Sequence, residues 1–169
     1  YVTAEGIEFT VENTGEVQKV EMKDDVTKVE ISKTDIAGKE LPGAKLTILD
    51  KDGKVIESWT SKDKPHYMEM LPIGKYRLHE ESAPDGYLMA EDVQFEVKDT
   101  EEIQKVSMED DVTKVEISKT DIAGKELPGA KLTILDKEGK TVESWTSEDK
   151  PHYIEMLPIG EYTLHEESA

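Results

Sequence analysis

The sequence predicts an all-β fold, a tandem array of small β-sandwiches. Three observations predict it: a hydrophobic period of two, turn residues at close intervals, and an internal repeat of 86 residues. Val29, Ile31 and Lys33 alternate with Glu30 and Ser32; Ala44, Leu46 and Ile48 alternate with Lys45 and Thr47. Tyr76, Leu78 and Glu80 form a third such series, and Val93, Phe95 and Val97 alternate with Gln94 and Glu96. Each reads as a half-buried antiparallel strand. Strong breakers separate them: Ala37-Gly38, Leu41-Pro42-Gly43, Lys51-Asp52-Gly53, Leu71-Pro72-Ile73-Gly74 and Ala83-Pro84-Asp85-Gly86. Six or seven strands in 86 residues make a sandwich, and the lack of any sustained 3.6 period predicts little helix.

Residues 26–83 recur at 112–169 with seven differences, and residues 1–25 are an imperfect copy of 87–111. A period this long suits a small domain with its own core better than a solenoid unit that leans on its neighbours. The expected organisation is residues 1–25 as the C-terminal strands of a preceding repeat, 26–111 as a complete repeat, and 112–169 as the N-terminal part of a following repeat that lacks its last strands. The copies also test which face is packed. Lys75 and Arg77 become Glu161 and Thr163, while Tyr76, Leu78 and Glu80 return as Tyr162, Leu164 and Glu166. The differences fall on one face of the strand, as they should where the other face is buried.

Composition narrows the function. A net charge of −18 argues against nucleic acid or an anionic membrane surface as partner, because the counter-ion release that drives such binding needs an excess of Lys and Arg. With no cysteine there is neither a disulfide framework nor a thiolate metal site. No apolar run approaches membrane-spanning length. Acidic pairs such as Asp24-Asp25, Glu80-Glu81 and Glu109-Asp110-Asp111 lack EF-hand spacing. His66, His79, His152 and His165 follow no metal-ligand pattern. Neither a cofactor nor a metal is expected, and no nucleophile triad or phosphate loop stands out.

The chemistry lies at the ends of the inward faces. Val29 and Ile31 are followed on the same face by Lys33, Tyr76 and Leu78 by Glu80, and Val106 and Met108 by Asp110. A lone charge buried there would cost several kcal/mol. The three residues therefore either turn to water at the sandwich edge or meet one another.

The stretch Ile31-Ser32-Lys33-Thr34-Asp35, then Gly38 to Ala44 (GKELPGA), then Tyr76 to Tyr87 (YRLHEESAPDGY), resembles the CnaB (SpaA-type, prealbumin-like) repeat domains of Gram-positive surface adhesins and pilins. The resemblance covers the whole chain. It implies tandem inverse immunoglobulin-like Greek-key β-sandwiches, an extracellular place on the surface of a cell-wall-anchored parent, and neighbouring repeats of the same protein as partners. It also implies a self-formed isopeptide bond between a Lys on the first strand and an Asn or Asp on the last, promoted by a Glu. Carried over, the lysine falls on Lys33, the glutamate on Glu80 and the acceptor on Asp110. The single Asn of the chain, Asn13, lies outside the complete repeat, so the acceptor there is Asp. Asp110 is preferred to Asp111, and Glu80 to Glu81, because they share the faces of Met108 and Leu78; a bulge would reverse either choice.

The implied role is a structural stalk or spacer, whose one covalent step is a single-turnover maturation and not enzyme catalysis. The alternative is a repeat that itself binds a host matrix protein or glycan, for which Trp59 and Tyr67 are candidates; aromatics at strand positions more often belong to the core. A second site is expected at Lys119 and Glu166. Its acceptor would be Asp24 of another molecule, if residues 1–25 of one chain complete residues 112–169 of the next, head to tail. The other reading of these ends is proteolysis or disorder.

Overall fold

The structure, a computed structural model, describes residues 1–168 and is all-β, with no helix among the described residues. It divides into two compact units: Tyr1–Ala83 with Met89–Asp110, and Pro84–Leu88 with the residues from Asp111 on.

In the first unit seven strands follow in order: β1 (Lys28–Asp35), β2 (Lys45–Asp50), β3 (Val55–Thr60), β4 (His66–Glu69), β5 (Gly74–Ser82), β6 (Val93–Val97) and β7 (Ile103–Asp110). They form a three-stranded sheet in the order β4-β1-β7 and a four-stranded sheet in the order β3-β2-β5-β6. Alternation works as the sequence requires. On β1, Val29, Ile31 and Lys33 point inward; on β5, Tyr76, Leu78 and Glu80 do so. Val29, Ile31, Leu46, Ile48, Leu78, Val97 and Met108 form one apolar cluster, flanked by Tyr76, which stacks on Phe95 at 5.7 Å.

Three features depart from simple alternation. The pairing of β1 with β7 is parallel, whereas antiparallel strands were expected throughout. These two strands are the first and last of the repeat, joined by the other sheet rather than by a hairpin, so the connection leaves their direction free. Thr47 is buried although it lies on the outer face of β2, because Ser58 and the Glu81 carboxylate cover its hydroxyl at 2.7 and 2.6 Å. The register between β2 and β5 slips between Lys45 and Leu46, where Glu81 bulges out of β5. The bulge lies beyond Glu80, so Glu80 keeps the face of Leu78.

Residues 1–25 form no strand. They nonetheless keep a turn also found at Lys98–Gln104. The Gln18 side chain bonds Glu12 through both its amide atoms, as the Gln104 side chain bonds Lys98. A turn of this kind closes on local hydrogen bonds, whereas a strand needs a neighbouring strand to receive its backbone groups.

The second unit contains β8 (Lys114–Ile117), β9 (Lys131–Asp136), β10 (Thr141–Thr146), β11 (His152–Glu155) and β12 (Tyr162–Ser168), counterparts of β1 to β5. β8 pairs with β11, and β9 lies between β10 and β12. The loop Pro84–Leu88 belongs here. Tyr87 bridges Val112, and the Gly86 carbonyl accepts from Thr113 N at 2.9 Å.

The two copies of one leucine differ sharply: Leu78 is 0 % exposed and Leu164 is 49 % exposed. Leu78→Ala is expected to destabilise the first unit by about 2–5 kcal/mol, and Leu164→Ala to destabilise the second by under about 1 kcal/mol. Hydrogen exchange of the β2 and β9 amides in the two variants checks the difference.

Candidate functional site

Each ionisable residue reaches the core by its place on a strand. Lys33 follows Val29 and Ile31 on β1, and Asp110 follows Met108 on β7. In the parallel pairing Lys33 stands opposite Met108 and Asp35 opposite Asp110, so Lys33 and Asp110 lie one inward step apart on adjacent strands. Glu80 comes from the other sheet, opposite Leu46.

The structure brings the three together. Lys33 Nζ donates to Glu80 Oε2 at 3.2 Å and to Asp110 Oδ1, and none of the three side chains is more than 1 % exposed. The Ala90 backbone N–H also donates to Glu80 Oε2, at 2.7 Å. Glu80 Oε1 and Asp110 Oδ2 are buried without a hydrogen-bond partner. Burial pushes the Glu80 carboxyl above its ordinary value and the charge of Asp110 adds to the rise, while the Ala90 N–H and Lys33 oppose it.

These facts define a proton count. One ammonium between two carboxylates leaves a net negative charge in a dry core, which is costly. One further proton neutralises the set. The two partnerless oxygens sit one on each carboxyl, so each carboxyl keeps one oxygen open to a proton. With that proton present, moving another from Lys33 to a carboxylate yields a neutral amine beside a neutral carboxyl. An amine attacks a carboxyl carbon only in that state.

The neighbouring acidic residues have other tasks. Glu81 accepts from Thr47, and Asp111 pairs with Lys114 at 2.8 Å and caps Val112 N at 2.7 Å, which together hold its carboxyl below the usual range. In the second unit Lys119 Nζ donates to Glu166 Oε2 at 2.9 Å, with side chains 26 % and 35 % exposed. Asp24 is exposed in the strandless segment. Ala90 escaped the sequence reading because its contribution is a backbone N–H, which no side-chain pattern announces. No group of three or more potential metal ligands occurs among the described residues.

The sequence matches the family described as SpaA, prealbumin-like fold domain, over residues 27–112 and 113–169. Among solved structures it resembles the Bacillus anthracis TIE protein, with 32 % identity and a TM-score of 0.55 over 89 % of this chain and 30 % of that one. The chain thus spans under a third of that relative's length. It also matches the shaft pilin SpaA of Lactobacillus rhamnosus GG at 14 % identity and a TM-score of 0.48, covering 86 % of this chain and 88 % of that one. The major pilin subunit BcpA of Bacillus cereus matches at 11 % identity and 0.48, covering 86 % and 89 %. No curated protein matches the chain in sequence.

The direction of the Glu80 shift fixes a pH dependence for chains in which Lys33 and Asp110 are not covalently joined. A carboxyl whose pKa is raised on folding stabilises the folded state fully below its unfolded value, 4.5, and loses that contribution as pH rises through the folded value. Unfolding midpoints in denaturant should therefore carry a pH-dependent component that favours the acid side of that window, and Glu80→Gln should abolish it.

Proposed function

Because this chain belongs to the SpaA family of prealbumin-like fold domains, we propose that it is a structural stalk module of a Gram-positive cell-surface adhesin or pilin, locked by an isopeptide bond between Lys33 and Asp110. The observation that carries the reading is a buried Lys33 in hydrogen-bond contact with both Glu80 and Asp110. Pilin names among the structural matches are those of other proteins, and the surface location is part of the proposal, supported by the family likeness.

In the proposed reaction the neutral Lys33 Nζ attacks Asp110 Cγ. Glu80 polarises the carboxyl by a hydrogen bond, and the proton released by the amine ends on the departing oxygen. An amide and one water result, so atoms and charge balance. Holding amine and carboxyl in contact supplies roughly 7–11 kcal/mol of the barrier. The product closes a long loop between the first and last strands. By analogy with a disulfide spanning a comparable loop it stabilises by about 4–5 kcal/mol. The module reacts once and turns over no substrate. Its partners are neighbouring repeats.

The same lysine and glutamate meet at Lys119 and Glu166, and residues 17–24 resemble the β7 sequence, differing at three positions, with Asp24 in the acceptor position. A second reading follows for the isolated polypeptide: residues 1–25 of one copy supply strands and Asp24 to residues 112–168 of another.

Intact mass under denaturing conditions tests the first reading. The monomer should be one water lighter than its sequence, and Lys33→Ala, Asp110→Ala and Glu80→Ala chains should keep the full mass; an unmodified wild-type mass rejects the bond. Covalent ladders on denaturing gels, abolished by Lys119→Ala or Asp24→Ala, test the second.

A further inference from the structure

We infer that the backbone N–H of Ala90 is a positioning group for bond formation: it fixes Glu80 Oε2 as the proton-free oxygen and leaves Oε1 to carry the proton to Asp110. The inference rests on the reading of Lys33 and Asp110 as bond partners.

A glutamate carboxyl turns readily about its last torsion, which has a broad, roughly two-fold preference. Its two oxygens therefore exchange roles unless fixed donors sort them. Here both fixed donors fall on one oxygen. Ala90 N–H reaches Glu80 Oε2 at 2.7 Å and Lys33 Nζ reaches it at 3.2 Å. An N–H cannot accept, so an oxygen facing it cannot point a hydroxyl at it. The acidic proton is left to Oε1, the partnerless oxygen. Asp110 is sorted in the same way, with Oδ1 taken by Lys33 and Oδ2 partnerless. Each carboxyl thus has one oxygen engaged with the amine and one free for the proton the two must share. Lys33 alone would not maintain this order, because its ammonium rotates and gives up a proton during the reaction. The Ala90 N–H is the donor whose proton stays in place throughout.

Ala90 itself is partly buried against the apolar cluster of the first unit, which holds this donor beside Glu80.

The test replaces the Ala90 amide by an ester, which removes the N–H and leaves the side chain. Full-length chains of wild type, the Ala90 ester and Ala90→Gly are assembled from segments under denaturing conditions, so that none has folded beforehand. Ala90→Pro, made the same way, is a second route to the missing donor. Refolding starts the reaction, and loss of one water is followed by mass against time at several pH values. The ester should react about 100- to 1,000-fold more slowly, the range for removing one preorganised donor, and Ala90→Gly should match wild type. The alkaline limit of the rate should also move to higher pH in the ester, because a donor that favours the Glu80 carboxylate has gone. An ester that reacts at the wild-type rate overturns the inference. So does a slower ester whose pH limit is unchanged, since a merely displaced loop would behave that way. If wild type itself never loses water, the bond reading fails instead, and that outcome is distinct from both.

Discussion

The first unit is organised around one constraint: an amine and two carboxyls must share a dry core. Any one of them alone would be costly to bury, and removing the amine from such a set leaves its carboxyls without a compensating charge. Lys33 therefore has to meet Glu80 and Asp110, and the three residues lie on β1, β5 and β7. That requirement ties the two sheets together at a polar point within an otherwise apolar interior. It also makes the β1–β7 pairing more than a packing convenience. Adjacent strands in parallel register put Lys33 one inward step from Asp110, and a slip of a single residue would turn Asp110 to the outer face.

The second unit shows what the same letters do with different neighbours. Leu164 and Glu166 repeat Leu78 and Glu80, and Lys119 repeats Lys33, yet Leu164 is half exposed and the Lys119–Glu166 pair is partly open to water. The amine and carboxylate still find each other, because β12 and the segment just after β8 carry them to one place without help from a β7 counterpart. What differs is solvation. In water's presence an ammonium and a carboxylate form an ordinary ion pair of small net worth. Neutralising both, which amide formation requires, becomes favourable only when water is excluded. For the proposed bond, the covering strands thus contribute more than an acceptor carboxyl: they exclude the water that keeps an ion pair charged.

Much of this was legible in the sequence, because alternation on a strand is an unambiguous code once one face is apolar. Val29 and Ile31 announce where Lys33 points, Leu78 does so for Glu80, and Met108 for Asp110. Three features were not legible. The parallel direction of β1 and β7 depends on how the chain crosses between sheets, and alternation is blind to direction. The bulge at Glu81 is stabilised by a side chain on another strand, Thr47, so no local pattern marks it. The Ala90 N–H belongs to the backbone and is shared by every residue but proline. Residues 1–25 add a fourth lesson. Their letters repeat 87–111 imperfectly, and the turn at Glu12–Gln18 forms from local bonds, but strands are a property of pairs and not of sequences.

The placement of the proposed bond bears on how such a module would carry tension. Pulled by its ends, a repeat is loaded at the start of β1 and the end of β7. In the unbonded protein those strands resist through the hydrogen bonds between them and through core packing, neither of them covalent. An amide between Lys33 and Asp110 moves the load path. Force enters along β1 only as far as residue 33, crosses the covalent bond, and leaves at residue 110, immediately before Asp111. Everything from Thr34 to Glu109 then lies in a side loop that tension does not enter, so β2 to β6 would be spared even if thermal motion loosened them. Only the short run from Lys28 to Lys33 remains under load, and it is held on both flanks, by β4 and by β7. A lysine nearer the start of β1 would shield even that run. But the inward positions there are Val29 and Ile31, which the core needs, and an amine placed so far from the Glu80 carboxyl would find no partner for its proton.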